Sequence, residues 1–376
     1  MLNPAIHTRI FYKLALSQQK TGHSVVIIGQ SSRQSPFQQE GIEVIPLGKF
    51  NRLSFKRFFA GFKILRLATK EKADAFCIHT PELLWLGLFL KWTKRTTLLY
   101  DMHEDYRVTI RNAEHYPAWL RRPLAACIRG WERFCLRWID GVSYAELTYD
   151  NVLGVEDGKK VVLRNTFRGE RREKRVETEH KGKSELESES DGDYMLYTGT
   201  LADDWGIWET IDWWEKLNEV KVIKLVMAGF SFDGRLIERI EERIQQSPFA
   251  ERFELVGGRD YVPYEQIVQL IENCSFGTAF YKIKPHIVGK VPTKFYEYMA
   301  FDKPLLFTKE SFWEDFNQKN QLGIAISGNE APKHVLNQLE NWNVKHDPST
   351  YSWSHDALRM QEWLAEIFSN KESLSD

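Results

Sequence analysis

Apolar positions along this chain alternate between short unbroken runs and longer stripes spaced three or four residues apart. Residues 8–20 (TRIFYKLALSQQK) read as an amphipathic helix with Ile10, Leu14 and Leu16 or Ser17 near one face. Gly22-His23 stops it and launches a strand over 24–29, and a second strand follows over 42–47. Phe55, Phe58, Phe59, Phe62 and Leu65 form one helical stripe ringed by basic residues. Strands over 73–79, 96–100, 141–144 and 160–163 and helices over 81–93 and 120–138 complete this half. A second alternation places strands at 194–199, 224–228, 253–256, 276–280 and 304–307. Its helices fall at 208–217, 234–245, 265–272, 293–300 and 331–341, with a terminal helix over 354–368. The pattern predicts an α/β protein of two consecutive doubly wound parallel-sheet domains. Ligands of such sheets bind beyond the carboxyl ends of the strands, so the expected site is the cleft between the domains.

One stretch breaks the rhythm. Of the 25 residues from 169 to 193, fifteen are charged and only Val176 and Leu186 are apolar, too few for a core. This predicts a charged flexible linker, with a first domain over 1–168, a second over 194–345, and a helix and tail over 346–376 that packs back on the first. Charge changes sign at the same place. Residues 1–168 carry 26 Lys/Arg against 15 Asp/Glu, a balance of +11, and the remainder carries 25 against 37, a balance of −12. A basic half joined to an acidic half implies that the first meets something anionic.

Length and composition narrow the classes. A chain of 376 residues with 43% hydrophobic and 13% aromatic residues can bury two real cores. Its four cysteines (Cys77, Cys127, Cys135, Cys274) include no Cys-x-x-Cys pair, which argues against a disulfide scaffold or a zinc site and fits a reducing compartment. Without a membrane-spanning run or a basic-then-apolar leader, the expectation is a cytoplasmic or peripheral protein.

Three segments carry chemistry. Tyr100–Tyr106 (YDMHEDY) ends a strand in ionisable groups, where Asp101, His103 and Asp105 alternate along an extended segment. A solvated strand end, a substrate-contacting histidine and a metal site all remain open, although the other histidines show no metal-ligand spacing. Val291–Pro304 (VPTKFYEYMAFDKP) opens a helix on which Lys294 and Glu297 lie one turn apart, suited either to a surface ion pair or to a phosphate and a ribose. Tyr197–Leu201 (YTGTL) and Gly257–Pro263 (GGRDYVP) are turns of small residues after strands, which let a backbone approach a ligand.

Together these segments resemble glycosyltransferases of the GT-B fold, specifically the large retaining family 4 that uses nucleotide-sugar donors. Gly22-His23-Ser24-Val25 is similar to that family's "GHeV" strand, and Asn3–Arg9 to its first helix. His79–Leu84 (HTPELL) and Tyr100–Tyr106 resemble segments of bacterial surface-polysaccharide members, and Pro292–Pro304 the donor-domain helix, the most specific of the matches. The resemblance implies transfer of a sugar from a UDP- or GDP-sugar to a saccharide or lipid-linked acceptor with retention, without a metal or cofactor. It implies His103 and Glu297 as catalytic-centre residues, with Glu297 at the ribose, Lys294 near the diphosphate and His103 facing the donor sugar. Gly199, Thr200, Thr293, Arg259 and Lys290 join the donor site, and Tyr261 and Val262 flank the base.

The sequence departs from the family at three places. The strand usually preceding the first helix has no counterpart, Gly289 stands where many members have a Glu, and Trp205 replaces a basic residue before Gly206. A catalytically inactive partner of the same fold and a nucleotide-sugar epimerase are therefore the alternatives. Residues 49–72 (KFNRLSFKRFFAGFKILRLATKEK) interleave Phe with Lys56, Arg57, Lys63 and Arg66, the makeup either of an interfacial helix at an anionic membrane, which the resemblance puts on the acceptor side, or of a helix whose Phe stripe packs on the sheet with its charges solvated. No recognition motif for nucleic acid accompanies that charge.

Overall fold

The computed structural model describes residues 4–48, 50, 55–113, 116–169, 194–285, 287–343 and 347–372. The expected linker therefore lies almost wholly outside the described residues, as do the side chains of Phe55, Lys56 and Phe58. The chain folds as two compact units, one of residues 1–168 with 353–376 and one of residues 169–352.

The first unit opens with a π-helix, Thr8–Ala15, running into α1 (Leu16–Lys20). A π-helix turns more widely than an α-helix, so the inward positions differ from a 3.6-residue reading. Arg9, Ile10, Phe11, Lys13 and Ala15 are buried, whereas Leu14 and Leu16 are only partly so. Strands β1 (Val26–Gly29), β2 (Phe37–Gln39) and β3 (Ile42–Pro46) form a small sheet in the order β1-β3-β2, with β2 antiparallel. Helix α2 (Phe55–Ala68) leads to β4 (Ala75–Ile78), then α3 (Leu84–Lys94), β5 (Thr97–Met102), α4 (Tyr106–Arg111) and α5 (Ala118–Cys135). Strands β6 (Gly141–Tyr144) and β7 (Lys160–Val162) complete a parallel sheet in the order β4-β5-β6-β7. The single parallel sheet expected for this half is thus two sheets, one of them mixed. The polar run Phe37-Gln38-Gln39 has no hydrophobic alternation to announce a strand.

The four-stranded sheet is covered on both faces, as alternation of side chains along a strand requires. Leu98, Tyr100 and Met102 of β5 pack with Ile64 of α2, Leu84 and Leu88 of α3 and Cys135 of α5. Leu99, one residue out of phase, packs with Trp353, Met360, Trp363 and Ile367 of α12 (Trp353–Glu372). Gly141 is required at that contact, because a Cβ there would lie 2.3 Å from Ile367 Cδ1.

The second unit is one six-stranded parallel sheet. Its chain order is β8 (Tyr194–Thr200), α6 (Ile207–Asn218), β9 (Lys224–Phe230), α7 (Gly234–Gln245), β10 (Phe253–Gly258), α8 (Tyr264–Asn273) and β11 (Phe276–Ala279). Next come α9 (Thr293–Met299), β12 (Leu305–Thr308), α10 (Ser311–Asn320), β13 (Gly323–Ile326) and α11 (Pro332–Glu340). The spatial order β10-β9-β8-β11-β12-β13 is a doubly wound arrangement whose winding reverses between β8 and β11. Helix α10 and strand β13 are additions to the sequence-predicted elements.

Candidate functional site

In the first unit, β5 carries Asp101 and the loop after it carries His103. Asp101 is fully buried and accepts from five directions. Arg9 of the π-helix donates through Nη2 at 2.7 Å and Nε at 3.2 Å, and Ser143 Oγ of β6 donates at 2.7 Å. Imidazole nitrogens of His79, 3.1 Å away, and of His103 both reach Oδ2. A buried carboxylate is tolerated only with such partners. Burial alone would raise its pKa, but Arg9 first, then His103 and His79, outweigh burial and hold it well below the usual carboxylate range. Arg9 is itself fixed by Leu163 O at 2.6 Å and Asn165 Oδ1 at 3.2 Å.

Three imidazoles gather here. The His7 and His103 ring centroids are 5.6 Å apart, and those of His79 and His103 are 5.3 Å apart. Burial, followed by the neighbouring imidazoles, pushes His7 down to about 4. Burial pushes His79 to about 4 against the opposing pull of Asp101. Both are neutral near pH 7. Contact of Nε2 with Asp101 Oδ2 fixes the orientation of the His103 ring.

His79, Asp101 and His103 also form a three-ligand cluster able to hold a metal ion, which corrects the reading that no histidine spacing suits a metal. The spacing that matters is across β4 and β5 rather than along the chain. Arg9 and Ser143 occupy Oδ1, however, and a guanidinium at the same carboxylate opposes a divalent cation. The donor set therefore fits an oriented histidine better than a metal. Asp105, grouped with these residues in the sequence, belongs elsewhere: it caps α4 and pairs with Arg129 of α5.

In the second unit the groups converge on the switch point between β8 and β11. Gly199, Gly229 and Gly257 lie side by side at the carboxyl ends of β8, β9 and β10. A Cβ on Gly229 would sit 1.8 Å from Gly199 O, and one on Gly257 2.5 Å from Gly229 O, so this edge is bare backbone by steric necessity. Gly206, at +78° in φ, opens α6 tight against Phe280 O, from which any Cβ would be 2.0 Å away. Lys294, on α9, is buried over the gap. Its Nζ lies 4.0 Å from the Tyr197 ring centroid of β8 and 5.7 Å from that of Tyr281 after β11. Burial lowers its pKa to about 7, with Glu297 one turn away resisting. Glu297 is half-buried, and Tyr264 Oη, at the start of α8, lies 3.4 Å from its Oε1.

The structure thus brings Gly199, Lys294, Glu297 and, through Tyr264, the end of the Gly257–Pro263 loop into one neighbourhood. Thr200 and Thr293 are half-exposed at its edge. Lys290 holds α10 through its carbonyl, which accepts from Trp313 Nε1 at 2.8 Å. Arg259 pairs with Glu238 of α7, both about 60% exposed. Val262 is buried against Gly257, and Tyr261 is 78% exposed. On the first unit Arg57 pairs with Glu82 and Lys63 donates to Leu47 O at 3.2 Å, while Arg66 is exposed.

Arg9, His7, Ser143, Asn165, Tyr197, Tyr264 and Tyr281 carry no role in the sequence reading. Arg9 had one signal: a cation beside Ile10 and Phe11 in an otherwise apolar turn.

Residues 7–146 match the glycosyl transferase 4-like domain family. No curated protein matches the sequence. Sucrose-phosphate synthase from Thermosynechococcus elongatus is similar in structure, at 14% identity and a TM-score of 0.67 over 95% of this chain and 92% of that one. Anabaena HepE in complex with UDP and glucose gives 14% identity and 0.61 over 94% of each chain. The lipopolysaccharide outer core galactosyltransferase WaaB gives 12% identity and 0.55 over 98% of each. The fold is GT-B, with two Rossmann-like units.

Proposed function

We propose that this protein is a retaining glycosyltransferase that takes a UDP- or GDP-sugar as donor and a saccharide or lipid-linked saccharide as acceptor, in assembly of a cell-surface polysaccharide. The observation that carries the reading is Lys294, buried at the switch point of the second sheet beside a row of side-chain-free strand ends and one helical turn from Glu297. A buried amine with a pKa near 7 is costly to maintain without a ligand to charge it, and an anionic diphosphate is such a ligand. Bare backbone at Gly199, Gly229 and Gly257 gives a diphosphate close approach, and Glu297 offers two acceptor oxygens to a ribose. Sugar transfer needs the charge on the departing diphosphate stabilised, and Lys294 with backbone N–H groups supplies that.

The first unit contributes His103, which we assign to the sugar being transferred. Asp101 and Arg9 fix its ring, so hydrogen bonding to a sugar hydroxyl requires no reorganisation. HepE, solved with UDP and glucose, supports a UDP-sugar donor, and WaaB supports the surface-saccharide setting. Retention follows from the family resemblance. On this reading the protein works in the cytoplasm, peripheral on the inner face of the membrane.

A thermal-shift panel of UDP- and GDP-sugars tests the donor assignment. At least one donor raises the melting temperature, and Glu297→Ala removes the shift while leaving the unliganded melting temperature close to wild type. A panel without any shift, or an unchanged shift in Glu297→Ala, contradicts it.

A further inference from the structure

On an ordinary surface helix the stripe away from the core is polar. On α3 it is aromatic. Trp85, Phe89 and Trp92 occupy positions i, i+4 and i+7, and the last two are 44% and 58% exposed, while Leu84, Leu86, Leu88 and Leu90 fill the core side. The rings continue onto both neighbouring helices. Phe62 of α2 stands 5.5 Å from Trp85, where Gly61 lets the two helices approach. On the other side Trp92 meets Trp138, just after α5, at 5.8 Å, and Trp138 meets Phe134 at 4.9 Å. Phe59, Phe62 and Phe134 are exposed as well.

Charge on the same three helices has one sign. Helices α2, α3 and α5 contain ten Lys/Arg and a single acid, Glu132, which is buried. Lys63, Arg66, Arg122 and Arg133 are exposed on these helices, and Arg137 follows α5 with its guanidinium 5.9 Å from the Phe134 ring centroid. The exposed side of α5 also carries Trp119, 77% exposed, near its start and the small residues Ala126, Cys127 and Gly130 further along. No described helix is long and apolar enough to cross a membrane, so a lipid contact made here lies in the interface.

We infer that the outer face of α2, α3 and α5 is a docking surface for an anionic lipid bilayer, with Phe59, Phe62, Phe89, Trp92 and Phe134 entering the headgroup layer and Lys63, Arg66, Arg133 and Arg137 meeting its charge. Aromatic rings favour this depth, and uniform positive charge complements a phosphatidylglycerol surface but not a second copy of the same face. The surface reaches well beyond the basic segment 49–72, and it lies outside the donor site, so membrane binding and sugar transfer succeed or fail independently.

Co-sedimentation of the full chain with vesicles tests it. Vesicles of phosphatidylcholine with one third phosphatidylglycerol retain the protein, pure phosphatidylcholine vesicles retain little, and binding falls as salt rises. Phe89→Ser with Trp92→Ser lowers binding at least tenfold. Arg133→Gln and Arg137→Gln each lower it roughly fivefold, while Phe232→Ser, an 89% exposed ring of the second unit, leaves it unchanged. Each variant keeps the wild-type melting temperature, since only exposed side chains change. Equal retention on both vesicle types, or undiminished binding of the α3 double variant, overturns the inference. A concentration-dependent dimer that Trp92→Ser abolishes, with no vesicle binding, assigns the face to a second copy and overturns it too.

Discussion

Lys294 Nζ sits 4.0 Å from the centre of the Tyr197 ring, so a buried ammonium on α9 is held by the π-face of a residue on β8 rather than by a salt bridge to it. The contact spans the gap where strand order reverses, and it leaves the amine ready for an anion.

Burial sets the Lys294 pKa at about 7, below the 10.5 of a free lysine, and a bound diphosphate raises it again. Donor binding between pH 7 and 9 therefore takes up a proton. Calorimetry in buffers of different ionisation enthalpy reads that proton directly, and affinity falls as pH rises above 7. Lys294→Met keeps the packing, removes the uptake and weakens binding by about 2 kcal/mol or more.

Gly229→Ala places a methyl group inside the space of Gly199 O, 1.8 Å away. Strands β8 and β9 separate to accommodate it, at a cost of about 1–3 kcal/mol in stability and a loss of donor affinity. Urea denaturation and donor titration of this variant measure the two effects.

Asp101 and Arg9, 92 positions apart, form a closed ion pair at 2.7 Å. Arg9→Met strands a buried carboxylate, and the expected loss is about 3–5 kcal/mol. Asp101→Asn with Arg9→Met together loses less than the sum of the single variants, because neither then leaves an uncompensated charge. A double-mutant cycle by urea denaturation decides this.

The alternation of apolar runs and helical stripes made both Rossmann-like units legible, because cores of parallel sheets leave a strong hydrophobic record. Weak elements left none. Strand β2 is polar, and β13 is a four-residue run behind α10, whose face toward the core is mainly Phe312, Trp313 and Phe316. At the candidate site, local motifs single out His103, Lys294 and Glu297, whose roles are proposals. No motif marks the residues that contact them. Arg9, His79 and Ser143 reach Asp101 from three other segments, and Tyr197 on β8 and Tyr281 just after β11 reach Lys294, so only the sheet order brings them together. The π-helix hid Arg9 further by turning it inward against a 3.6-residue expectation.

Glu132 carries a pH prediction. Burial raises its pKa from 4.5 to about 7, opposed by the Tyr100 hydroxyl at 2.8 Å and by Arg129. The folded chain holds this proton where the unfolded chain has lost it, so stability falls as pH rises from about 4.5 to 7 and stays low above that. His7 and His79 act in the opposite direction, losing stability as pH falls from 6.5 toward 4. Glu132→Gln removes the first slope and leaves the second. Urea midpoints at pH 5, 6.5 and 8 check it: the variant gains on wild type at pH 8 and not at pH 5.

Sugar transfer itself is the most direct test. The protein is incubated with the donor that gives the largest thermal shift and with lipid-linked saccharides, and the product is read by mass and by the anomeric proton in NMR. The expected product is an acceptor heavier by one sugar, joined with the donor's anomeric configuration. His103→Ala is expected to lose about 100-fold or more in rate with donor binding preserved. An inverted anomer contradicts retention. Full activity in both His103→Ala and Glu297→Ala contradicts the site.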